Sequence, residues 1–245
     1  MFKNYTINNK NIIALHNDMI YVSDDLIGSK ALMASRYCEK FPNGISTCGS
    51  RFSTQVLMFS KVCNHFNVPC TVFIPSGKST DVVEELKSIN SNINYVYPGY
   101  NTVLNSKAKE YACRLNYRFV PLGMLEEFAF NIVSDLVCDN IDIIKQSKRI
   151  VIPVGSGTTL IGVAYGLYKN KIHIPILGVQ TGMDASKNIK KFHEYTQNIP
   201  IDLVKSELKY SQKLQNDVIP NLNPTYEAKC INFLEENDLF WIVNR

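Results

Sequence analysis

The chain has 245 residues, of which 45% are hydrophobic and 20% charged, as in ordinary soluble globular proteins. This length suffices for one large domain or two small ones. No apolar run approaches the length that spans a bilayer, and the first residues lack the apolar core of a signal peptide, so a cytoplasmic protein with no membrane partner is expected. The net charge of +4 is compatible with an anionic ligand and does not require a nucleic acid.

The seven cysteines and four histidines lack the spacing of disulfide frameworks and metal sites. The cysteines form no CxxC pair and lie mostly in apolar stretches, so we expect reduced thiols that fill the core. The histidines show neither HxH nor HxxxH spacing, so no metal site is expected.

Short apolar runs alternate with helical patterns along the chain. The predicted strands are 19–22, 44–47, 70–74, 93–97, 118–120, 149–154 and 174–179, and the predicted helices are 29–40, 53–67, 82–89, 105–115, 122–146 and 158–168. This alternation is typical of parallel β-α-β units, and strands that are apolar throughout indicate a sheet covered on both faces. The sequence therefore predicts an open, doubly wound α/β fold, whose ligands bind at the carboxyl ends of the strands.

One strand-to-helix loop, Gly155-Ser156-Gly157-Thr158-Thr159, is typical of phosphate binding. Its glycines let the backbone approach an anion, and its hydroxyl side chains are hydrogen-bond donors. The following helix adds N–H groups and the positive end of its dipole. The loop has neither the lysine of a nucleotide P-loop nor the GxGxxG of a dinucleotide site, so by itself it does not identify the ligand. A turn without a ligand is the alternative.

Two further segments place polar side chains at predicted helix starts. Ser50, Ser53 and Thr54 precede or begin one helix, which favours a carboxylate site, although Ser53 as a simple N-cap is the alternative. Lys30 begins another helix, where a cation opposes the helix dipole. A lysine near a phosphate loop is suited to a Schiff base, and an exposed surface lysine is the alternative.

Together these segments resemble pyridoxal-phosphate enzymes of fold type II, the tryptophan-synthase-β-like group. Within it they are most similar to the D-cysteine desulfhydrase and 1-aminocyclopropane-1-carboxylate deaminase branch, with a shortened chain. Four segments carry the resemblance in the family's order: Asp24-Asp25-Leu26 with Ser29-Lys30; Gly49-Ser50-Arg51-Phe52-Ser53-Thr54-Gln55; residues 154–162; and Leu222-Asn223-Pro224-Thr225-Tyr226 with Lys229, followed by Leu239-Phe240-Trp241.

The resemblance implies a pyridoxal 5'-phosphate cofactor held as a Schiff base by Lys30, which would also move protons at the substrate's α-carbon. It implies two lobes with the cofactor site between them, a large cofactor-binding lobe of residues 1–35 and 122–245 and a smaller lobe of 36–121. A homodimer is expected. The resemblance implies three catalytic residues, Lys30, Tyr226 and Ser53. It implies that the cofactor is also contacted by Thr54, Gly155, Ser156, Gly157, Thr158, Thr159 and Asn244. The substrate carboxylate would be bound by Ser50, Ser53, Thr54 and Gln55.

The chain departs from the family pattern around the cofactor ring. Thr54 and Gln55 replace an asparagine and a histidine, and Val243 replaces the threonine that meets the pyridine nitrogen. The main hypothesis is a lyase or deaminase acting on an amino acid or amino-acid-like group. One alternative is a degenerate pyridoxal-phosphate or anion-binding protein without turnover. Another is an enzyme acting on an amino-acid moiety attached to a nucleic-acid base, which would make nucleic acid a partner.

Overall fold

The computed structural model describes residues 2–15, 21–23, 26–182, 184–209, 212–214, 219 and 222–243. Within these ranges no helix is both long and apolar enough to cross a bilayer. The strands are β1 (Phe2–Ile7), β2 (Lys10–Leu15), β3 (Tyr21–Ser23), β4 (Leu26–Ile27), β5 (Ile45–Cys48), β6 (Cys70–Pro75), β7 (Asn92–Val96), β8 (Arg118–Val120), β9 (Arg149–Val154), β10 (Ile176–Gln180), β11 (Ile201–Lys205) and β12 (Asp238–Trp241). The α-helices are α1 (Ser29–Lys40), α2 (Thr54–His65), α3 (Asp81–Ser88), α4 (Asn101–Leu115), α5 (Glu127–Asp139), α6 (Ile141–Ile144), α7 (Thr158–Lys169) and α8 (Ser186–Lys191).

The chain divides into two compact units. The first, here called the large unit, holds the described residues up to 15, residues 27–29 and those from 125 onward. The second, here called the small unit, holds residues 30–124 and the described residues from 21 to 26. Each unit contains its own sheet, and the α/β fold predicted from the alternating pattern is confirmed.

The sheet of the large unit has the order β1-β2-β12-β9-β10-β11. Its pairs are parallel except for the antiparallel hairpin of β1 and β2. In α7, Cβ atoms on Gly162 and Gly166 would fall within 3 Å of Val133 and Val137, so these glycines let α7 lie directly against α5. This close packing fixes the start of α7, immediately after β9, where the predicted phosphate loop lies.

The sheet of the small unit has the order β7-β6-β5-β8, and all its pairs are parallel. Buried Val56 of α2 and Val83 of α3 pack with Val72 and Ile74 of β6, which fills one face with the apolar side chains of both helices. Because parallel strands end at the same edge, the loops that follow β5, β6 and β7 are neighbours. The loop with Ser50 and Ser53 therefore lies at the edge where ligands bind in such sheets.

Most predicted elements are confirmed. The helix at 29–40 and the strands at 118–120 and 149–154 have the predicted bounds, and the others within the described residues differ at their ends by at most four residues except for one helix. The predicted strand at 19–22 lies partly outside the described residues, and Tyr21–Ser23 is a strand.

The prediction of one long helix at 122–146 is wrong. Gly123 and Met124 have φ of 74° and 54°, so a short 3-10 turn is followed by a break before α5 begins at Glu127. Asn140 then separates α5 from α6 with a φ of −119°. The β1–β2 hairpin, β11 and β12 were not predicted from the sequence.

Candidate active site

Lys30 is the second residue of α1, in the small unit. Its Nζ donates a hydrogen bond of 2.7 Å to Oγ1 of Thr54, the first residue of α2. The side chain is half-buried, and the bond fixes its amine at the start of a neighbouring helix. The amine of Lys30 is therefore held in a defined position. This differs from the alternative of an exposed surface lysine.

Ser53 immediately precedes α2 and packs against Gly49. A Cβ atom on Gly49 would lie 2.6 Å from Ser53 Oγ and 2.7 Å from Ser53 Cβ, so only glycine fits under this side chain. Ser53 occupies the N-cap position, but its side chain makes no capping hydrogen bond. The N-cap alternative requires a hydrogen bond from the helix to this hydroxyl group, and that bond is not made.

Ser50 lies on the exposed part of the same loop, and its Oγ accepts a hydrogen bond from Phe52 N at 3.3 Å. This bond shapes the turn that leads into Ser53 and Thr54. Four predicted residues, Ser50, Ser53, Thr54 and Lys30, are thus brought together within the small unit by one loop and two helix starts.

Gln55 is buried, at 4% exposure, and its amide is engaged inside the small unit. Nε2 donates to Thr47 Oγ1 and to the Pro121 carbonyl, both at 2.9 Å, and Oε1 accepts from Gly123 N at 2.7 Å. These bonds connect α2 to the ends of β5 and β8. The side chain was predicted to meet the substrate carboxylate, and its observed contacts instead hold the loop in place.

The phosphate loop connects β9 to α7 in the large unit. Gly157 is the N-cap of α7 with a φ of 98°, a conformation that L side chains rarely adopt. Ser156 Oγ and Thr158 Oγ1 lie 3.0 Å apart, and Asn188 Nδ2 donates to the Ser156 carbonyl at 2.9 Å. Thr158 and Thr159 are buried in the first turn of α7, whose N–H groups have no intrahelical acceptor. The loop presents these N–H groups and hydroxyls together.

Tyr226 also belongs to the large unit and lies beside this loop. A Cβ atom on Gly155 would lie 3.4 Å from Cε1 of Tyr226, so the ring is in contact with the loop backbone. Asn223 Oδ1 accepts hydrogen bonds from the N–H groups of Thr225 and Tyr226 at 2.9 and 3.2 Å, which fixes the turn before the ring. The structure therefore brings the predicted Tyr226 to the predicted phosphate loop.

Glu227, which was not singled out from the sequence, directly follows Tyr226 in the large unit. Its side chain is fully buried in the large unit, and Oε1 accepts a hydrogen bond of 3.0 Å from Val243 N. Val243 is the residue that the resemblance aligns with the threonine beside the pyridine nitrogen, and the Glu227 carboxylate is bonded to its backbone N–H. An acidic residue directly after Tyr226 is the signal that could have found it. Asn244, Asp24 and Asp25 lie outside the described residues.

A protein-family model described as "Pyridoxal-phosphate dependent enzyme" matches residues 28–221. The chain belongs to this family. Its cofactor is therefore pyridoxal phosphate, as the resemblance implied, and the matched range includes both Lys30 and the phosphate loop. No curated protein sequence matches the chain.

Solved structures of the pyridoxal-phosphate enzyme family share this fold. An ACC deaminase homologue superposes with a TM-score of 0.78 at 15% identity, covering 100% of this chain and 88% of its own. Serine racemase from Dictyostelium discoideum gives 0.72 at 13% identity, with 99% and 91% covered. L-serine ammonia-lyase from the fungus Rhizomucor miehei gives 0.66 at 12% identity, with 100% and 94% covered. At these identities the likeness shows the fold.

Proposed function

We propose that this enzyme is a lyase or deaminase that acts on an amino acid or amino-acid-like group through a Schiff base at Lys30. The observation that carries the proposal is the 2.7 Å hydrogen bond between Lys30 Nζ and Thr54 Oγ1. It holds the amine in a fixed position beside the loop of Ser53, whose hydroxyl is not used as a helix cap. An amine nucleophile and a carboxylate site are thereby adjacent within one unit.

The phosphate loop supports the same proposal, because its parts suit a phosphate dianion. The first turn of α7 supplies N–H groups and the positive end of the helix dipole. Ser156, Thr158 and Thr159 supply hydroxyl groups, two of which lie 3.0 Å apart. The residues present therefore fit the phosphate group of the cofactor.

Glu227 supports the fit of the cofactor ring. Glu227 follows Tyr226 directly, and its Oε1 accepts a hydrogen bond from the N–H of Val243. An acidic partner favours the protonated form of a pyridine nitrogen. In this proposal Glu227 takes the role that the family pattern gives to the threonine replaced by Val243, which would preserve electron withdrawal by the ring.

Each side chain has a distinct role in this proposal. When bound, pyridoxal phosphate withdraws electrons from the α-carbon of the attached amine. Lys30 moves a proton at that carbon, and Tyr226, beside the phosphate loop, is an acid/base partner. Ser53 and Thr54 bind the substrate carboxylate. Gln55 positions their loop through its three internal hydrogen bonds.

The test is to load the purified protein with pyridoxal phosphate, record the visible spectrum, reduce with borohydride and map the modified peptide. We expect one adduct, on Lys30, and its loss in Lys30→Ala. Lys40→Ala, at the exposed end of the same helix, is the matched control and should keep the adduct. A reduced adduct on another lysine, or a Lys30→Ala spectrum equal to that of the parent, would contradict the proposal.

A second candidate is an enzyme whose amino-acid moiety is attached to a nucleic-acid base. Phe52, Tyr97 and Tyr100 are 49%, 88% and 83% exposed on the loops that follow β5 and β7. These loops are neighbours: Arg51 Nη1 donates to the Lys78 carbonyl after β6, and Ser76 N donates to Val96 O at the end of β7. Exposed aromatic rings are the platform on which single-stranded bases stack.

The two candidates differ in whether the protein binds an oligonucleotide. Under the second, the double variant Tyr97→Ser/Tyr100→Ser should weaken binding of a labelled single-stranded oligonucleotide, measured by fluorescence anisotropy. Tyr168→Ser, a half-exposed tyrosine of α7, is the control. If the wild-type protein binds no oligonucleotide, the second candidate is contradicted and the substrate class is the free amino acid.

A further inference from the structure

Arg51 joins the turn that carries Ser50 and Ser53 to the loop between β6 and α3. Its Nη1 donates a hydrogen bond to the Lys78 carbonyl, and its own carbonyl accepts one from Thr80 Oγ1. Both contacts lie within the small unit. The turn is therefore attached to the neighbouring loop by both the backbone and the side chain of one residue.

The Arg51 guanidinium group also packs on the backbone of Gly77. A Cβ atom on Gly77 would lie 2.5 Å from Nη1, 2.8 Å from Cζ and 3.2 Å from Nη2 of Arg51, so the guanidinium occupies the place of a side chain there. Gly77 also has a φ of 148°, which L side chains rarely adopt. A planar guanidinium can pack in this way while it donates to the next carbonyl, whereas a lysine ammonium can donate but is not planar.

The loop that receives Arg51 is anchored at both ends. Ser76 N donates to the Val96 carbonyl of β7 at 2.8 Å. At the other end, Thr80 is the N-cap of α3, and its Oγ1 accepts from Val83 N at 3.3 Å. Arg51 is therefore held against a fixed point at the edge of the small unit's sheet where the ligands of parallel sheets bind.

The hydrogen bonds inside the turn of Ser53 are local. Ser53 N donates to the Ser50 carbonyl at 3.0 Å, and Phe52 N donates to Ser50 Oγ at 3.3 Å. These bonds shape the turn but do not set its position on the sheet. Gly49 N, which donates to a carbonyl of β6 at 3.1 Å, holds the start of the turn, and Arg51 holds its middle.

We propose that Arg51 is a positioning residue that fixes the Ser53 hydroxyl group for the substrate carboxylate. Arg51 does not touch the substrate in this role, because it acts through the turn of residues 50–53. The inference rests on the proposed function, which places the carboxylate at Ser53. Misplacing a group of the site by about 1 Å can cost about a factor of 100 in rate, so the position of this turn bears directly on the reaction.

Lys78 separates positioning from charge. Its side chain is exposed, and Arg51 uses only its backbone carbonyl. Lys78→Ala therefore removes a neighbouring cation and keeps the acceptor, whereas Arg51→Ala removes the donor. If local positive charge attracted the substrate, both variants would weaken binding. If Arg51 positions the turn, only Arg51→Ala has an effect.

The first measurement is hydrogen exchange by mass spectrometry on the full-length protein without cofactor. The peptide that contains Phe52 and Ser53 should exchange faster in Arg51→Ala, by about tenfold or more, because a hydrogen bond from a charged group is lost. It should exchange at the wild-type rate in Lys78→Ala. Equal exchange in Arg51→Ala and wild type would overturn the proposal.

The second measurement is a spectral titration of the cofactor-loaded protein with L-serine and D-serine. Arg51→Ala should raise the half-saturating concentration by about tenfold, while the spectrum before serine is added stays as in the wild type, since Lys30 and Thr54 are unchanged. Arg51→Lys, which retains a donor, should recover part of the affinity. An Arg51→Ala variant that titrates like the wild type, or that loses cofactor loading and serine response together, would overturn the positioning role.

Gly77→Ala tests the packing contact itself. Its Cβ atom would displace the guanidinium, so alone it should weaken serine binding, but in an Arg51→Ala background it should add no further loss. Additive losses would count against the contact. The proposed function fails separately, if the wild type forms no Lys30 adduct, because the exchange comparison needs neither cofactor nor amino acid. If neither serine isomer changes the wild-type spectrum, the exchange comparison decides alone.

Discussion

Lys30 Nζ and Thr54 Oγ1 lie 2.7 Å apart, which joins the first turns of α1 and α2 within the small unit. A cation in the first turn of a helix is unfavourable with respect to the helix dipole, so this lysine is not placed there for the stability of α1. The threonine hydroxyl gives it a fixed acceptor.

The first prediction concerns this pair. Thr54→Val keeps the branched shape and removes the acceptor of the Lys30 amine. Because the amine loses the acceptor that positions it, and a hydrogen bond to a charged group contributes about 1.5–3 kcal/mol, formation of the Schiff base should slow by about tenfold or more. The measurement is the rate at which the visible absorbance appears after pyridoxal phosphate is added. Thr54→Ser retains the hydroxyl and should stay close to wild type; a valine variant that reacts at the wild-type rate would show that the hydrogen bond is not used.

The second prediction concerns Ser53, whose hydroxyl lies over Gly49 and makes no helix cap. Ser53→Ala should weaken the spectral change that an amino acid induces in the cofactor-loaded protein, by about tenfold for one lost hydrogen bond to a carboxylate. The fold should be unaffected because no cap is lost. Ser88→Ala, at the end of α3, is the control, and an unchanged titration would remove Ser53 from the site.

The elements that the sequence predicted best have strong local signals. The helix at 29–40 and the strand at 149–154 have the predicted bounds, because one has a clear amphipathic period and the other is continuously apolar. The helix predicted at 122–146 failed because its apolar period continues through Gly123, whose positive φ breaks the chain. A residue with a positive φ cannot be recognised from the spacing of apolar residues.

The β1–β2 hairpin, which was not predicted, could have been recognised from the two asparagines in its turn. Asn8 and Asn9 have φ of 49° and 62°, the conformation of a two-residue type I′ turn, and asparagine tolerates it. Strand β11, with its mixed polarity, lies at a sheet edge, so it lacks the continuous apolar run of a central strand. Among the site residues, the loops were predictable from glycine and hydroxyl clusters. The engagement of Gln55 inside the fold required tertiary contacts, and so did the burial of Glu227.

The third prediction tests the ion pair that joins β9 to β12. Arg149 donates to both carboxylate oxygens of Asp238, from Nε at 3.1 Å and from Nη2 at 2.6 Å, and this hydrogen bonding raises the pKa of Arg149. Asp238 is fully buried, so Asp238→Ala leaves a partly buried cation without its carboxylate and should cost about 3–5 kcal/mol of unfolding free energy in urea.

The control for this pair is Glu235, which is half-exposed and 3.8 Å from Arg149 Nη2. Glu235→Ala should cost less than about 1 kcal/mol, as exposed ion pairs do. Equal losses for the two variants would show that the bidentate geometry of Asp238 adds no stability.

The last prediction compares two glycines of the phosphate loop. Gly157 has a φ of 98°, so Gly157→Ala should lower the free energy of unfolding by about 1–2 kcal/mol, the usual cost of a left-handed conformation for an L residue. The same strain tilts the first turn of α7, so the affinity for pyridoxal phosphate should also fall. Gly155 has no positive φ, and a Cβ atom there would only reach ordinary contact with Tyr226, so Gly155→Ala should leave stability nearly unchanged. Urea unfolding and cofactor titration of both variants provide the measurement, and the expectation fails if alanine at 157 is tolerated as well as alanine at 155.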